Sequence, residues 1–133
     1  MIAERTGGVL KEFGEEAGIE GLSLDERGYC CLFINDTGIN LEIDEERETL
    51  FLYAYLGDLP GEGERLSLYE TLLEANTVNF APGGGTIGID TEQNVIVLSM
   101  AMPAVDLNIN SFSRTMEEIV HQVQQWRERL NNL

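Results

Sequence analysis

The chain has 133 residues, of which 24 are acidic and eight are basic, so its formal net charge is −16. This length is enough for a single domain over residues 1–133 with its own hydrophobic core. Binding to nucleic acid or to an anionic membrane requires clusters of Lys and Arg. The strongly acidic charge of the chain therefore argues against both partners. The scattered acidic residues are typical of a highly soluble surface, with attraction of a basic partner as the alternative.

The cysteines and the absence of targeting signals indicate the compartment. Cys30 and Cys31 are adjacent in a predicted strand, so their side chains point to opposite faces and do not form an internal disulfide. The N-terminus has no secretion-signal pattern, and no apolar run approaches the roughly 18 residues of a membrane span. We therefore expect a cytoplasmic protein with two free thiols and no membrane insertion.

The first predicted element is a helix over residues 2–17, followed by a stop at Gly18. Its apolar residues recur at helical spacing: Ile2, Val9, Leu10, Phe13 and Ala17. Gly7 and Gly8 weaken the first turn, because each costs about 1 kcal/mol relative to Ala inside a helix.

Three strands are predicted next, over residues 29–35, 39–44 and 49–56, with short polar turns typical of an antiparallel meander. The middle strand alternates apolar and polar residues, which indicates one buried and one wet face. The third strand is apolar and aromatic on both faces and ends at a Gly-Asp-Leu-Pro turn over residues 57–60. We expect one face of this strand to pack in the core and the other to meet a partner.

A second helix is predicted over residues 67–76, where Ser67 and Glu70 have the spacing of a capping box. Its apolar residues cover more than one stripe, which indicates a second face buried against another subunit. Two strands over residues 86–89 and 95–102 form a hairpin, and a regular apolar repeat predicts a last helix over residues 112–130. The order predicts an α+β domain, α-β-β-β-α-β-β-α, with an antiparallel sheet of about five strands and three helices.

No catalytic constellation is recognisable. His121 is the only histidine, lies on the polar side of the last helix, and has the pattern of a solvated residue. One histidine and two adjacent cysteines cannot supply the four ligands of a structural zinc. The acidic run at residues 44–48 is typical of a solvated turn, with cation binding as the alternative. The Gly-rich segment at residues 82–86 lacks the ending of a phosphate loop and indicates a turn. We predict no enzyme activity and no cofactor.

The strand over residues 95–102 is apolar on both faces, which is typical of a central strand buried on both sides. The alternative is that Met100 and Met102 form an adaptable surface for partners, because Met repacks easily around varied shapes.

Four segments resemble class I type III secretion chaperones of the Tir-chaperone (CesT-like) family. They are LYAYLGDLP at residues 52–60, LLEAN at 72–76, TIGID at 86–90 and WRERL at 126–130. The resemblance covers almost the whole chain and implies a homodimeric, non-enzymatic chaperone in the bacterial cytoplasm. Such a chaperone binds the N-terminal segment of a secreted effector, keeps it partly unfolded and aids its delivery to the export apparatus. The secretion ATPase is implied as a further partner.

The resemblance also implies two surfaces. The effector-binding surface lies on the first helix and the strands beside it, with the candidates Val9, Leu10, Phe13, Leu32, Ile34, Leu41 and Ile43, to which we add Met100 and Met102. The dimer interface lies on the second helix and the next strand, with the candidates Leu68, Tyr69, Leu72, Leu73, Ile87 and Ile89. Two other functions stay open: a regulatory or sensory interaction domain of the same fold, and a small carboxylate-based or metal-dependent enzyme.

Overall fold

The computed structural model describes residues 1–77 and 85–132. Its elements are α1 (Ile2–Ala17), β1 (Tyr29–Ile34), β2 (Thr37–Asp44), β3 (Thr49–Asp58), α2 (Arg65–Ala75), β4 (Thr86–Asp90), β5 (Val95–Pro103) and α3 (Ile109–Asn131). The strands form one antiparallel sheet in the order β1-β2-β3-β5-β4, so β1 and β4 are its two edges. The predicted element order and the five-stranded sheet are confirmed. Residues 81–84, part of the predicted Gly-rich turn, lie outside the described residues.

The first helix ends as predicted, because Gly18 has a φ of +73° and reverses the chain. The backbone N–H of Ile19 donates to the carbonyl of Gly14 at 2.8 Å. A Cβ on Gly14 would lie 2.7 Å from the carbonyl oxygen of Ile19, so this close return of the chain requires glycine.

The predicted start of the second helix is wrong. α2 begins at Arg65, after a short 3₁₀ turn over Glu62–Glu64, and its N-cap makes no side-chain hydrogen bond. Ser67 therefore lies inside the helix, where its carbonyl accepts a bond from the Thr71 hydroxyl. The capping box belongs to α3: Asn108 Oδ1 accepts from the Ser111 N–H, and Ser111 Oγ accepts from the Asn108 N–H. This cap starts α3 at Ile109, earlier than residue 112 where the repeat was predicted to begin.

The core lies between the helices and one face of the sheet. α3 contributes an apolar stripe, and alternate strand residues point toward it, as the two-residue period of a strand requires. The fully buried members include Leu10, Ile39, Leu41, Leu50, Leu52, Ala54, Leu98, Phe112, Ile119 and Val123.

The other side of the sheet, which we call the open face, has no described helix packed on it. Its residues are the alternate members of each strand, which include Tyr29, Cys31, Phe33, Asn40, Glu42, Asp44, Phe51, Tyr53, Tyr55, Thr86, Asp90, Val97, Ser99 and Ala101. Cys31 is exposed and Cys30 buried, so the cysteines point to opposite faces as predicted. The aromatic residues of β3 are half-buried on this face, and the prediction that they meet a partner stays a prediction.

β5 was predicted to be buried on both faces, and this prediction is wrong. Ile96 and Leu98 are buried on its core face, whereas Val97 is half-buried and Ala101 exposed on the open face. β5 lies inside the sheet, but the described helices that pack on the sheet lie on one side, so they cover only one face of β5.

Candidate functional site

The outer edge of β1 carries free backbone hydrogen-bonding groups. The Ile43 N–H donates to the Gly28 carbonyl at 3.0 Å, so these two residues are a hydrogen-bonded pair. Because bonding alternates along an antiparallel strand, the N–H and C=O of Cys31 and Phe33 point away from β2. At Tyr29 the outward groups are occupied by Asp25: the Tyr29 N–H donates to Asp25 Oδ1, and the Tyr29 carbonyl accepts from the Asp25 N–H. Within residues 1–77 and 85–132 the outward groups of Cys31 and Phe33 have no hydrogen-bond partner, so this part of the edge is free.

An apolar groove lies beside the end of β1, between α1 and α3, with a volume of about 570 Å³. Its apolar lining consists of Phe13, Ala17, Ile34, Met116 and Val120, and we call it the α1–β1 groove. The ring of Phe13 packs edge-on against the fully buried Phe112, with centroids 5.2 Å apart. The position of the Phe13 ring is thus set by the core beneath it.

The lining of the α1–β1 groove also includes polar side chains, among them the acidic Glu16 and Glu117 and the imidazole of His121. An extended segment paired with the free edge would direct every second side chain toward the helix layer, where Ile34 lies. Apolar side chains of such a segment would enter the groove, and basic ones would meet its carboxylates. The edge and the groove together can bind an extended peptide.

The opposite edge, β4, is occupied at its centre by a side chain. Asn76, immediately after α2, donates from Nδ2 to the Ile87 carbonyl at 2.6 Å. The Ile87 N–H in turn donates to Asn76 Oδ1 at 2.8 Å. The Asn76 amide takes the place of a paired strand residue and connects the end of α2 to β4. We call this pair of bonds the Asn76 cap. In β4, Ile89 is the other residue whose N–H and C=O point away from β5, and the Asn76 cap does not occupy them.

The structure divides the predicted effector-binding residues into two groups. Phe13 and Ile34 are half-buried and meet in the α1–β1 groove, and Ile43 is half-buried beside Gly28 at the other end of β1. Six residues are buried in the core: Val9, Leu10, Leu32, Leu41, Met100 and Met102. Met100 and Met102 therefore form no exposed surface in this structure, and binding through any of the six would require the core to open.

The predicted dimer residues divide in the same way. Leu68, Leu72 and Ile87 are buried within the chain itself. Leu73 is 69% exposed, Ile89 is 38% exposed and Tyr69 is half-buried. Leu66, one helical heptad before Leu73, is 72% exposed and was not among the predicted residues. The second apolar face of α2 therefore exists, and Leu66 and Leu73 are its most exposed members.

Met116 and Val120 complete the α1–β1 groove and were missed as site residues. Both belong to the apolar side of α3, where Val120 next to Ile119 widens the stripe beyond what a single core face needs. This wide apolar stripe was the sequence signal that could have identified the two residues as part of a site. His121 is exposed, as predicted, but it lies at the groove and not on a remote surface.

The described residues show little that would serve catalysis. They contain no group of three or more His, Cys, Asp or Glu side chains placed to hold a metal ion. Burial raises the pKa of the Cys30 thiol, which favours its protonated, unreactive form. None of the described helices is long and apolar enough to span a bilayer.

Comparison with known proteins points to one family and one fold. A model of the Tir chaperone protein (CesT) family matches residues 8–127. No curated protein matches the chain in sequence.

Among solved structures, a chain of the HopA1–SchA chaperone–effector complex is 21% identical, with a TM-score of 0.75 over 93% of this chain and 94% of that chain. A chain of the ExsC–ExsE complex is 23% identical, with a TM-score of 0.74 over 95% of this chain and 93% of that chain. YbjN, a putative transcription regulator from E. coli, is 12% identical, with a TM-score of 0.60 and 92% coverage of both chains. At these identities the likenesses show a shared fold.

Proposed function

Because the chain belongs to the Tir chaperone protein (CesT) family, we propose that it binds the N-terminal segment of a type III secretion effector in the bacterial cytoplasm. The family consists of chaperones and not of enzymes. In this proposal residues 1–133 act as one chaperone domain that keeps the segment partly unfolded and aids its delivery to the export apparatus, where the secretion ATPase is a further partner. The functional form is a homodimer.

The observation that carries the proposal is the free edge at Cys31 and Phe33 beside the α1–β1 groove. A disordered segment gains backbone hydrogen bonds by adding a strand to an open edge, and side-chain contacts by filling an adjacent groove. Both features lie at the same end of the sheet. A client held in this way is extended and therefore cannot fold into its own tertiary structure.

The acidic character of the chain suits a client with basic residues. Its net charge of −16 attracts a positively charged segment at long range, and Glu16 and Glu117 place two carboxylates at the groove itself. Salt should therefore slow association more than it speeds dissociation.

The test is capture of the client with a matched pair of edge variants. Tagged protein is purified from its host under secretion-inducing conditions, and the retained protein and its protease-resistant fragment are identified by mass spectrometry. Phe33 is 69% exposed, so Phe33→Pro removes an outward N–H and leaves the ladder to β2 intact. Phe33→Ala removes the same ring and keeps the N–H.

We expect one abundant partner, protected near its N-terminus, that Phe33→Ala retains and Phe33→Pro loses. Equal retention by the two variants would contradict binding at the β1 edge. Failure of the wild-type protein to retain any partner would favour the regulatory alternative, for which the shared fold of the putative transcription regulator YbjN is the supporting observation.

A further inference from the structure

In the five described strands, Glu42 is the only charged residue away from a strand end, because the other strand acids, Asp44, Asp58 and Asp90, are each the last residue of their strands. None of the five strands contains Lys, Arg or His. Glu42 is exposed on the open face, since its neighbours Leu41 and Ile43 point toward the helices. The open face of the described sheet thus carries negative charge and no positive charge.

Three aromatic residues flank Glu42 on the open face. Tyr29 on β1 and Phe51 on β3 are its direct cross-strand partners, one on each side. Direct partners on one face have Cβ atoms about 5 Å apart. Tyr53 lies diagonally across from Glu42 on β3, close enough that the negative charge of Glu42 contributes to its titration.

Contacts within the open face hold two of these rings in place without using the carboxylate: a hydrogen bond of the Tyr29 hydroxyl and the packing of the Tyr53 ring. The hydroxyl of Tyr29 donates to Asn40 Oδ1, and Asn40 Nδ2 donates to the Tyr53 carbonyl at 3.3 Å. The Tyr53 ring also packs against Tyr55, with centroids 6.1 Å apart. The aromatic frame around Glu42 is therefore organised before any ligand arrives, which lowers the entropic cost of binding.

No cation among the described residues forms an ion pair with this carboxylate. The ion pair found among residues 1–77 and 85–132 joins Arg47 to Asp44, two residues further along β2, at 3.8 Å. Asp44 thus has a partner in the turn that follows it, whereas Glu42 has none among the described residues. The two acids of the same strand face provide a natural matched pair for experiment.

We propose that the frame of Tyr29, Phe51 and Tyr53 around Glu42 binds an arginine side chain of an extended polypeptide. A planar guanidinium can pair with the carboxylate through two N–H groups and stack on an aromatic ring at the same time, which the compact ammonium of lysine cannot do. Cation–π attraction adds to the ion pair. The chemistry of this site therefore selects arginine over lysine and excludes acidic residues.

The inference rests on the proposed function for the source of the arginine. A client strand added outside β1 would lie two strand spacings, about 9.6 Å, from β2. Its side chains alternate between the α1–β1 groove and the open face, so a long side chain that lies beside Cys31 on the open face extends diagonally across β1 toward Glu42. The client would then be recognised on both faces of the sheet, through its apolar side chains in the α1–β1 groove and through its arginine on the open face.

The experiment uses small probes and so does not require the client. N-acetyl-arginine-methylamide and its neutral isostere, N-acetyl-citrulline-methylamide, are titrated into isotope-labelled wild-type protein, Glu42→Gln and the control Asp44→Asn, with chemical shifts read by NMR. We expect the arginine probe to bind the wild type about fivefold more tightly than the citrulline probe, with shifts centred on Tyr29, Glu42, Phe51 and Tyr53. Glu42→Gln should abolish this preference, and Asp44→Asn should keep it.

Equal affinity for both probes, or an arginine preference that survives in Glu42→Gln, would overturn the inference and leave the chaperone proposal standing. An arginine preference that Glu42→Gln abolishes, in a protein that captures no client, would instead support this site and contradict the chaperone proposal. The two failures are therefore distinguishable.

Discussion

The two edges of the sheet have the same kind of backbone but different chemistry. At β4 the amide of Asn76 occupies both outward groups of Ile87, whereas at β1 the outward groups of Cys31 and Phe33 are left free. An open edge is a template for adding another strand, and proteins usually protect such edges. Asn76 thus protects the centre of the β4 edge, whereas the β1 edge is unprotected. The unprotected edge lies beside the α1–β1 groove.

The apolar surfaces near the two edges also differ in shape. Near β1 the apolar side chains line a concave groove, where Phe13 and Ile34 are half-buried and Met116 and Val120 are buried. Near β4, Leu66 and Leu73 project from α2 and are largely exposed. Concave apolar surfaces suit an extended peptide, and projecting side chains suit a self-complementary contact between copies. We propose on this basis that the β1 side binds the client and the α2 side forms the homodimer.

The largest expected effect on stability comes from a pair of substitutions on α2, one in the core and one at the proposed dimer interface. Leu72 is 4% exposed and Leu73 69% exposed, although they are adjacent. Leu72→Asp should destabilise the fold by about 4 kcal/mol or more, because it places a carboxylate in the core. Leu73→Asp should leave the urea midpoint nearly unchanged and convert the dimer to a monomer. Urea unfolding and light scattering measure the two effects, and an unchanged mass for Leu73→Asp would contradict this interface.

Removing the cap of the β4 edge should have the next largest effect. Asn76→Ala loses two hydrogen bonds to Ile87, which together stabilise the fold by about 2 kcal/mol. The control Asn76→Asp keeps the acceptor for the Ile87 N–H but turns a second carboxylate oxygen toward the Ile87 carbonyl. We expect both variants to lower the urea midpoint and to speed amide exchange at Ile87. Unchanged exchange at that amide would show that the cap does not protect the edge.

A proline on each edge compares the edges directly. Ile89→Pro removes an outward N–H from β4, as Phe33→Pro does from β1. We expect Phe33→Pro to weaken client binding at least tenfold, through lost hydrogen bonds and the bulk of the ring. Ile89→Pro should change the affinity less than twofold, measured by calorimetry with the captured client fragment. A comparable loss for Ile89→Pro would place the client on both edges.

The smallest effect concerns the open face that lies between the edges. Burial, and then the charge of Glu42, raise the pKa of Tyr53 from its ordinary value near 10 to about 12. The unfolded chain releases this proton first, so the folded protein loses stability as the pH rises from about 10 to 12. Burial also raises the pKa of Tyr29, so tyrosinate absorbance should show two late-titrating groups. Glu42→Gln should lower the pKa of Tyr53, with burial keeping it raised, and Asp44→Asn should change it less.

Residue patterns predicted the elements well, because those patterns are local. The repeat of Phe112, Met116, Ile119, Val123 and Trp126 is sufficient for a helix, and α3 contains it. The start of α2 was wrong because Ser67 and Glu70 satisfy the spacing of a capping box without being at a helix end. A cap depends on where the preceding chain enters the helix, and that entry is set by the 3₁₀ turn before Arg65.

The site was predicted less well than the fold. Leu10 and Phe13 are equally apolar on the same helix, but Leu10 is fully buried and Phe13 lines the groove. Sequence patterns identify an apolar face and not the depth of each residue within it. Val120 was missed for the same reason, since its place in the groove lining depends on how α1 and α3 pack together.

The sequence by itself determined the element order, the acidic surface and the family, because apolar periodicity, charge and motif spacing are properties of the chain taken in order. The tertiary structure decided which edge is free, since Asn76 reaches Ile87 from 11 residues away along the chain. It also decided that Tyr29, Glu42 and Phe51 lie side by side, because strand register brings together residues that no local pattern relates.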